Sequence, residues 1–175
     1  MKKIEQVVFT KEEINKRIRE LGEEITNDYK GRELVVVSLL RGSFIFTADL
    51  VREIDLKVNI DFMTTSSYLN GEESTGNVEI IQDIRTDIAG KDVLIVDDII
   101  DSGYTLKSVY NILKDRNPNS LKSCVMLNKP SRRKVEMDVE YIGYDIDDLF
   151  IVGYGLNYGD FYRNVPHIFA FVDAE

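Results

Sequence analysis

At 175 residues the chain has the length of one domain, since domains average roughly 150 residues, and it can bury a full core. A formal net charge of -9 disfavours nonspecific nucleic-acid binding, which needs clustered Lys and Arg against phosphates. No run of roughly 18 apolar residues could cross a bilayer, and the opening MKKIEQVVFTKEE lacks the apolar core of a secretory signal, so cytoplasmic residence is expected. An acidic chain can still take a small polyanion, because a divalent cation bridges protein carboxylates to ligand phosphates.

Ile14, Ile18, Leu21, Ile25 and Tyr29 recur at spacings that place them on one face, predicting an amphipathic helix over 11–29. Thr10 and Glu13 form a capping-box pattern, and Gly31 is placed to end the helix in a left-handed conformation. ELVVVSLL, residues 33–40, is too uniformly apolar for a half-exposed strand and reads as a buried parallel one. A helix follows Arg41-Gly42, with Phe44, Thr47, Ala48 and Val51 at helical spacing. Residues 57–68 and 77–84 read as strands. LNGEESTGN between them is expected to be a mobile excursion or hairpin end that could serve as a lid.

Residues 93–100 form the second strongly buried strand, backed by a helix carrying Leu106, Val109, Tyr110 and Leu113. Short strand-like stretches follow: SLKSCVMLNK, VEYIGYDI, FIVGYG and HIFAFV. The only cysteine, Cys124, cannot form an intrachain disulfide and reads as core. His167, the only histidine, reads as structural at a strand entry and leaves no multi-histidine metal site. Alternating buried strands and helices predict an α/β domain spanning 1–175, with a mostly parallel central sheet flanked by helices. Ligands in such sheets bind beyond the carboxyl ends of strands. The loops at 40–43 and 97–105 both follow buried strands, so both belong on that edge.

In DSGYT, Gly103 permits a tight turn, Ser102 and Thr105 offer hydroxyls, and the following helix offers free N–H groups. That is a cradle for a phosphate monoester; alone it could equally be a capped turn. Asp97 and Asp98 directly follow VLIV, where two charges are costly without a cation or hydrogen bonds. They could also serve a structural salt bridge. The triphosphate P-loop pattern and GxGxxG are both absent.

VLIVDDIIDSGYT, residues 93–105, resembles the phosphoribosyl-diphosphate-binding signature of the type I phosphoribosyltransferases, the hypoxanthine-guanine branch in particular. LLRGSFIFTADLVR, SSYLNGEESTGNVEI, the lysine of LNKPSRR and FIVGYGLNYGDFYRNVPHI extend the resemblance over most of residues 33–172. It implies a type I phosphoribosyltransferase-like fold with a small hood built from terminal segments. The implied reaction moves a ribose 5-phosphate unit from phosphoribosyl diphosphate to N9 of a 6-oxopurine, with Mg²⁺ as cofactor. The resemblance also implies a homodimer or homotetramer; from net charge and the lack of a long apolar run, neither nucleic acid nor membrane is expected as partner.

By the same resemblance the 5′-phosphate sits on Ser102, Gly103, Tyr104 and Thr105. Asp97 and Asp98 hold the ribose hydroxyls directly or through Mg²⁺-bound water, and Asp101, near purine N7, is the general base. Lys129 donates to the exocyclic O6, Phe150 stacks on the base, and Ile151 offers its main-chain carbonyl. Arg41, Gly42 and Arg163 take the diphosphate, with a cis peptide expected at Leu40-Arg41. Ser67 and Tyr68 belong to a loop that closes over the reaction centre. Without the resemblance, Lys129 reads as a surface lysine, Phe150 and Ile151 as strand core, and the arginines as solubilising.

Two positions depart from the pattern. Asp97 stands where glutamate is more usual. Asn157 replaces an aspartate that helps bind a metal ion on the diphosphate, and its neutral amide oxygen is a weaker ligand. Two other functions fit parts of the sequence. One is a phosphoribosyl-diphosphate-sensing RNA regulator, using a basic face at Lys129, Arg132, Arg133 and Lys134; the other is a transferase preferring xanthine.

Overall fold

The structure is a computed structural model that describes residues 3–67 and 78–173, with the backbone alone at Ser67. Its centre is a six-stranded sheet in the order β4-β3-β2-β5-β6-β7. The members are β2 (Leu34–Leu40), β3 (Val58–Ser67), β4 (Val78–Gln82), β5 (Asp92–Ile100), β6 (Ser120–Asn128) and β7 (Tyr141–Asp145). All neighbours run parallel except the edge pair β3 and β4. The expected excursion at 69–77 lies outside the described residues.

Both faces of this sheet are covered, which is why its central strands are apolar without alternation. On one face α1 (Lys11–Asp28) and α2 (Phe44–Arg52) pack on Leu34, Val36, Leu94, Val96, Cys124 and Met126. On the other, α3 (Tyr104–Lys114) packs through Leu106, Val109 and Leu113 on Val35, Val37, Val93, Ile95 and Val125. Ile14, Ile18, Leu21, Ile25 and Tyr29 are buried as the spacing predicts. Burial of each such side chain stabilises by about 1.5–3 kcal/mol, so α1 is held by its packed face. The Thr10–Glu13 capping box is present in both directions, and Gly31 has φ +78°.

Two expectations need correction. The buried stripe of α2 is Phe46, Thr47 and Leu50, while Phe44 and Ala48 are exposed. Both sets fit helical spacing; the sheet lies under the one that begins two residues later. The N-terminus, read only for targeting signals, contains strand β1 (Lys3–Phe9). It pairs antiparallel with β9 (Ile168–Asp173), which also pairs with β8 (Ile151–Val152). This second sheet, β1-β9-β8, is the expected hood of terminal segments. Phe9 joins it to the central sheet by stacking on Tyr144, ring centroids 4.1 Å apart.

Candidate active site

Strands β2 and β5 are adjacent, and their last paired residues are Ser38 and Val96. The chain leaving each therefore emerges at the same edge, with Arg41-Gly42 beside Asp97–Asp101. A cavity of about 310 Å³ opens there, and its lining includes Arg41, Gly42, Asp97, Asp98, Asp101, Ser102, Gly103, Thr105, Asn157 and Arg163. Ten sequence-predicted residues thus meet in one place.

The two loops touch. A Cβ on Gly42 would overlap the carboxylate oxygen Oδ2 of Asp98, so a larger residue there requires that carboxylate to move. The Leu40–Arg41 peptide is cis, as expected. Beneath this loop lies a buried chain of hydroxyls: Ser38 Oγ is 2.8 Å from Ser43 Oγ and 2.7 Å from Thr47 Oγ1, while Ser43 Oγ donates to the Leu39 carbonyl at 2.5 Å. Gly103, with φ +90°, is the N-cap of α3 and reverses the chain so that the helix begins at the cavity. The first N–H groups of a helix have no partner within it, and here they border a space that an anion fits.

Burial raises the Asp97 carboxyl well above the ordinary range, and the adjacent Asp98 charge adds to the effect. Burial raises Asp98 as well, opposed by a hydrogen bond with Asp97, by backbone N–H groups and by Arg163. Backbone donors reach both, Asp98 N to Asp97 Oδ1 at 2.9 Å and Ile99 N to Asp98 Oδ1 at 2.7 Å. Arg163 Nη1 donates to the Gly155 carbonyl at 2.6 Å, which holds the guanidinium along the cavity wall.

Asp101 Oδ1 is buried without a hydrogen-bond partner. Lys129 Nζ stands 3.9 Å from it and 3.9 Å from Asp148 Oδ1. Lys129 itself is only 7% exposed, which excludes the reading of it as a solvated surface lysine. Phe150 is 60% exposed, at the rim of an aromatic recess with Tyr158, Tyr162 and Phe171, whereas Ile151 is buried in β8. Tyr104 opens α3 without lining the cavity. Ser67 ends β3, and Tyr68 lies outside the described residues.

Sequence reasoning passed over three features. Thr65 of β3 lines the cavity; the polar run TTSS at a strand end was the available signal. The Ser38–Ser43–Thr47 chain carried only the weak signal of a serine inside an apolar run. Arg133, read as part of a basic face, is instead turned inward and hydrogen-bonds Asp101 O, Met137 O and Asn128 Oδ1.

The family model described as "Phosphoribosyl transferase domain" matches residues 8–159. The chain belongs to the phosphoribosyl transferase family. Similar family members include the hypoxanthine phosphoribosyltransferase of Escherichia coli K12, 52% identical over 170 residues and covering 96% of each chain. The hypoxanthine-guanine phosphoribosyltransferase of Staphylococcus aureus Mu50 is 47% identical, covering 94% of this chain and 92% of its own. The crystal structure of a hypoxanthine-guanine phosphoribosyltransferase from Bacillus anthracis, with HEPES in its active site, superposes with a TM-score of 0.92 at 44% identity. It covers 95% of this chain and 98% of the other. As a phosphoribosyl transferase the chain has its fold and its class of chemistry in common with these proteins. Among the described residues no helix is long and apolar enough to cross a membrane.

Proposed function

We propose that this phosphoribosyl transferase moves the 5-phosphoribosyl group from phosphoribosyl diphosphate to N9 of hypoxanthine or guanine, forming IMP or GMP and diphosphate in purine salvage. The observation that carries the reading is the convergence of three parts at one sheet edge: the loop opening α3, the Asp97–Asp98 pair, and buried Lys129 beside Asp101. In this reading Ser102, Gly103, Tyr104 and Thr105 receive the 5′-phosphate at the positive end of α3. Asp97 and Asp98 take the ribose hydroxyls. Arg41, Gly42 and Arg163 receive the diphosphate, for which guanidinium supplies planar paired donors.

The C1′–oxygen bond to diphosphate breaks as N9 bonds to C1′, and the purine loses a proton. Asp101 accepts it through N7, with Lys129 donating to O6; adenine offers an amino donor there and is disfavoured. Phe150 stacks on the base and the Ile151 carbonyl receives its 2-position.

The donor set fits Mg²⁺: the half-buried Asp97–Asp98 pair supplies oxygens only, and poor hydration raises both carboxyls, so positive charge beside them is stabilising. Asp97, Asp98 and the amide oxygen of Asn157 would hold the ion. When bound, it supplies neutralisation of the leaving diphosphate. Among the described residues no group of three or more His, Cys, Asp or Glu is placed to hold a metal ion, and in this reading substrate phosphates supply the remaining ligands. The proposal includes a cytoplasmic homodimer or homotetramer, as is common in the family; sedimentation in solution tests the subunit number.

The test incubates the protein with Mg²⁺, phosphoribosyl diphosphate and, separately, hypoxanthine, guanine, xanthine and adenine, and follows nucleotide formation. IMP and GMP are expected. Nucleotide from adenine or xanthine alone, or from none of the four, overturns the reading. Asp101→Asn, which keeps shape but removes basicity, is expected to lower kcat by about 10²-fold or more; wild-type turnover at every pH would sink the general-base role.

A further inference from the structure

The loop that carries Asp101 has few bonds of its own. Tyr104 N reaches Ser102 Oγ only at 3.4 Å, and Gly103 sits in a left-handed conformation with no side chain to anchor it. What holds the loop comes from the segment after β6. Arg133 spans the gap with all three guanidinium nitrogens engaged: Nε donates to the Asp101 carbonyl at 3.2 Å, Nη1 to the Met137 carbonyl at 3.3 Å, and Nη2 to Asn128 Oδ1 at 2.5 Å. Asn128 is fixed in turn by donating to Asp145 Oδ1 at 2.7 Å. The next two residues continue the attachment, Lys134 N and Val135 N both donating to the Ser102 carbonyl, at 2.9 and 3.3 Å. A Cβ on Gly103 would come within 3.0 Å of Arg133 Cδ and 3.2 Å of Val135 Cγ2, so the arginine stem also supports the loop by contact.

We infer that Arg133 is a positioning residue for the transfer reaction: it ties the 101–103 loop to the Asn128–Lys129 end of β6 and so sets the donor-side loop and the acceptor-side lysine at a fixed separation. The inference rests on the function proposed above, which gives that loop the 5′-phosphate. The planar fork is what the place demands. Three acceptors on three segments are reached at once, and a lysine's single ammonium cannot meet all of them. Arg133 touches neither reacting atoms nor metal, and it acts through the main chain of Asp101.

Steady-state kinetics of Arg133→Met and Arg133→Lys test this, with IMP and inorganic phosphate binding measured by titration calorimetry on the same preparations. Arg133→Met is expected to raise KM for phosphoribosyl diphosphate, and to weaken IMP, by on the order of ten- to a hundredfold, the range spanned by loss of a charge-assisted hydrogen bond. Arg133→Lys, which keeps the charge and most of the stem, recovers part of that loss. A purely structural role would lower the melting temperature and leave KM at wild-type values where the protein is folded. Wild-type KM and IMP affinity in Arg133→Met overturn the inference; if that variant does not fold, wild-type values in Arg133→Lys do so. Should the wild-type protein make no nucleotide, the function proposed above fails by itself. Inorganic phosphate binding to wild type and variants then still decides whether Arg133 organises an anion site.

Discussion

Two adjacent carboxylates at the end of a buried strand repel one another and are poorly hydrated, so in the ligand-free protein their carboxyls are raised above the ordinary range. For Asp97 the folded state raises the carboxyl above its unfolded value. The stabilisation this provides is complete below the unfolded pKa of about 3.9 and is lost as pH rises through the higher folded value. The melting temperature of the ligand-free protein is therefore expected to fall as pH rises above the ordinary carboxylate range. Asp97→Asn flattens that slope, and Mg²⁺ with phosphoribosyl diphosphate opposes it; an unchanged slope in Asp97→Asn refutes the assignment. Asn157 gives a second test, because Asn157→Asp restores an anionic oxygen at the cavity. The Mg²⁺ concentration giving half-maximal turnover is expected to fall severalfold, and an unchanged value removes Asn157 from the metal site. The acidic pair was legible in the sequence because charge following VLIV has no cheap structural explanation. The inward turn of Arg133 was not, since no local pattern separates a solvated arginine from one that reaches a carbonyl 32 positions away.

Elements were readable where periodicity and end signals agreed. In α1 the apolar spacing and the Thr10–Glu13 box point to the same start. Thr10→Ala is expected to cost about 1 kcal/mol, a shift of roughly 2–4 °C in melting temperature for a domain of this size, with kinetics unchanged. In α2 the register was misread because FIFTADLV offers two overlapping apolar stripes, and only the sheet beneath chooses Phe46, Thr47 and Leu50. The loop entering α2 is constrained by its neighbour rather than by its own turn. Gly42→Ala must push aside Asp98, so KM for phosphoribosyl diphosphate is expected to rise at least about tenfold, as when one charged contact is lost. A variant with wild-type KM would mean that Asp98 has room to move without consequence.

Across the whole molecule, the parallel sheet and its site-bearing edge follow from two buried apolar runs and the loops behind them. The hood did not declare itself in the same way: β1 is exposed along most of its length and has no burial pattern to detect, and its partner β9 lies at the far end of the chain. Net charge was informative at this scale too. Of the cations proposed as an RNA-binding face, Lys129 and Arg133 are turned to internal partners and Arg132 pairs with Asp148, leaving little of the concentrated positive surface that such binding needs. In the proposed reading, with Phe150 and Ile151 receiving the base, the hood serves the acceptor while the loops of β2 and β5 serve the donor. β8 carries Ile151 with Phe150 beside it; its strand partner among the described residues is β9, which β1 covers on its other edge, while Ile151 also packs in the core. Removing residues 1–9 deletes β1 and the Phe9–Tyr144 stack, loosening the acceptor side while the loops of β2 and β5 keep their own supports. KM for hypoxanthine is then expected to rise by more than KM for phosphoribosyl diphosphate, with the far-ultraviolet circular dichroism of the central sheet and helices retained. Equal rises in both constants would show instead that the hood and the donor loops unfold as one unit.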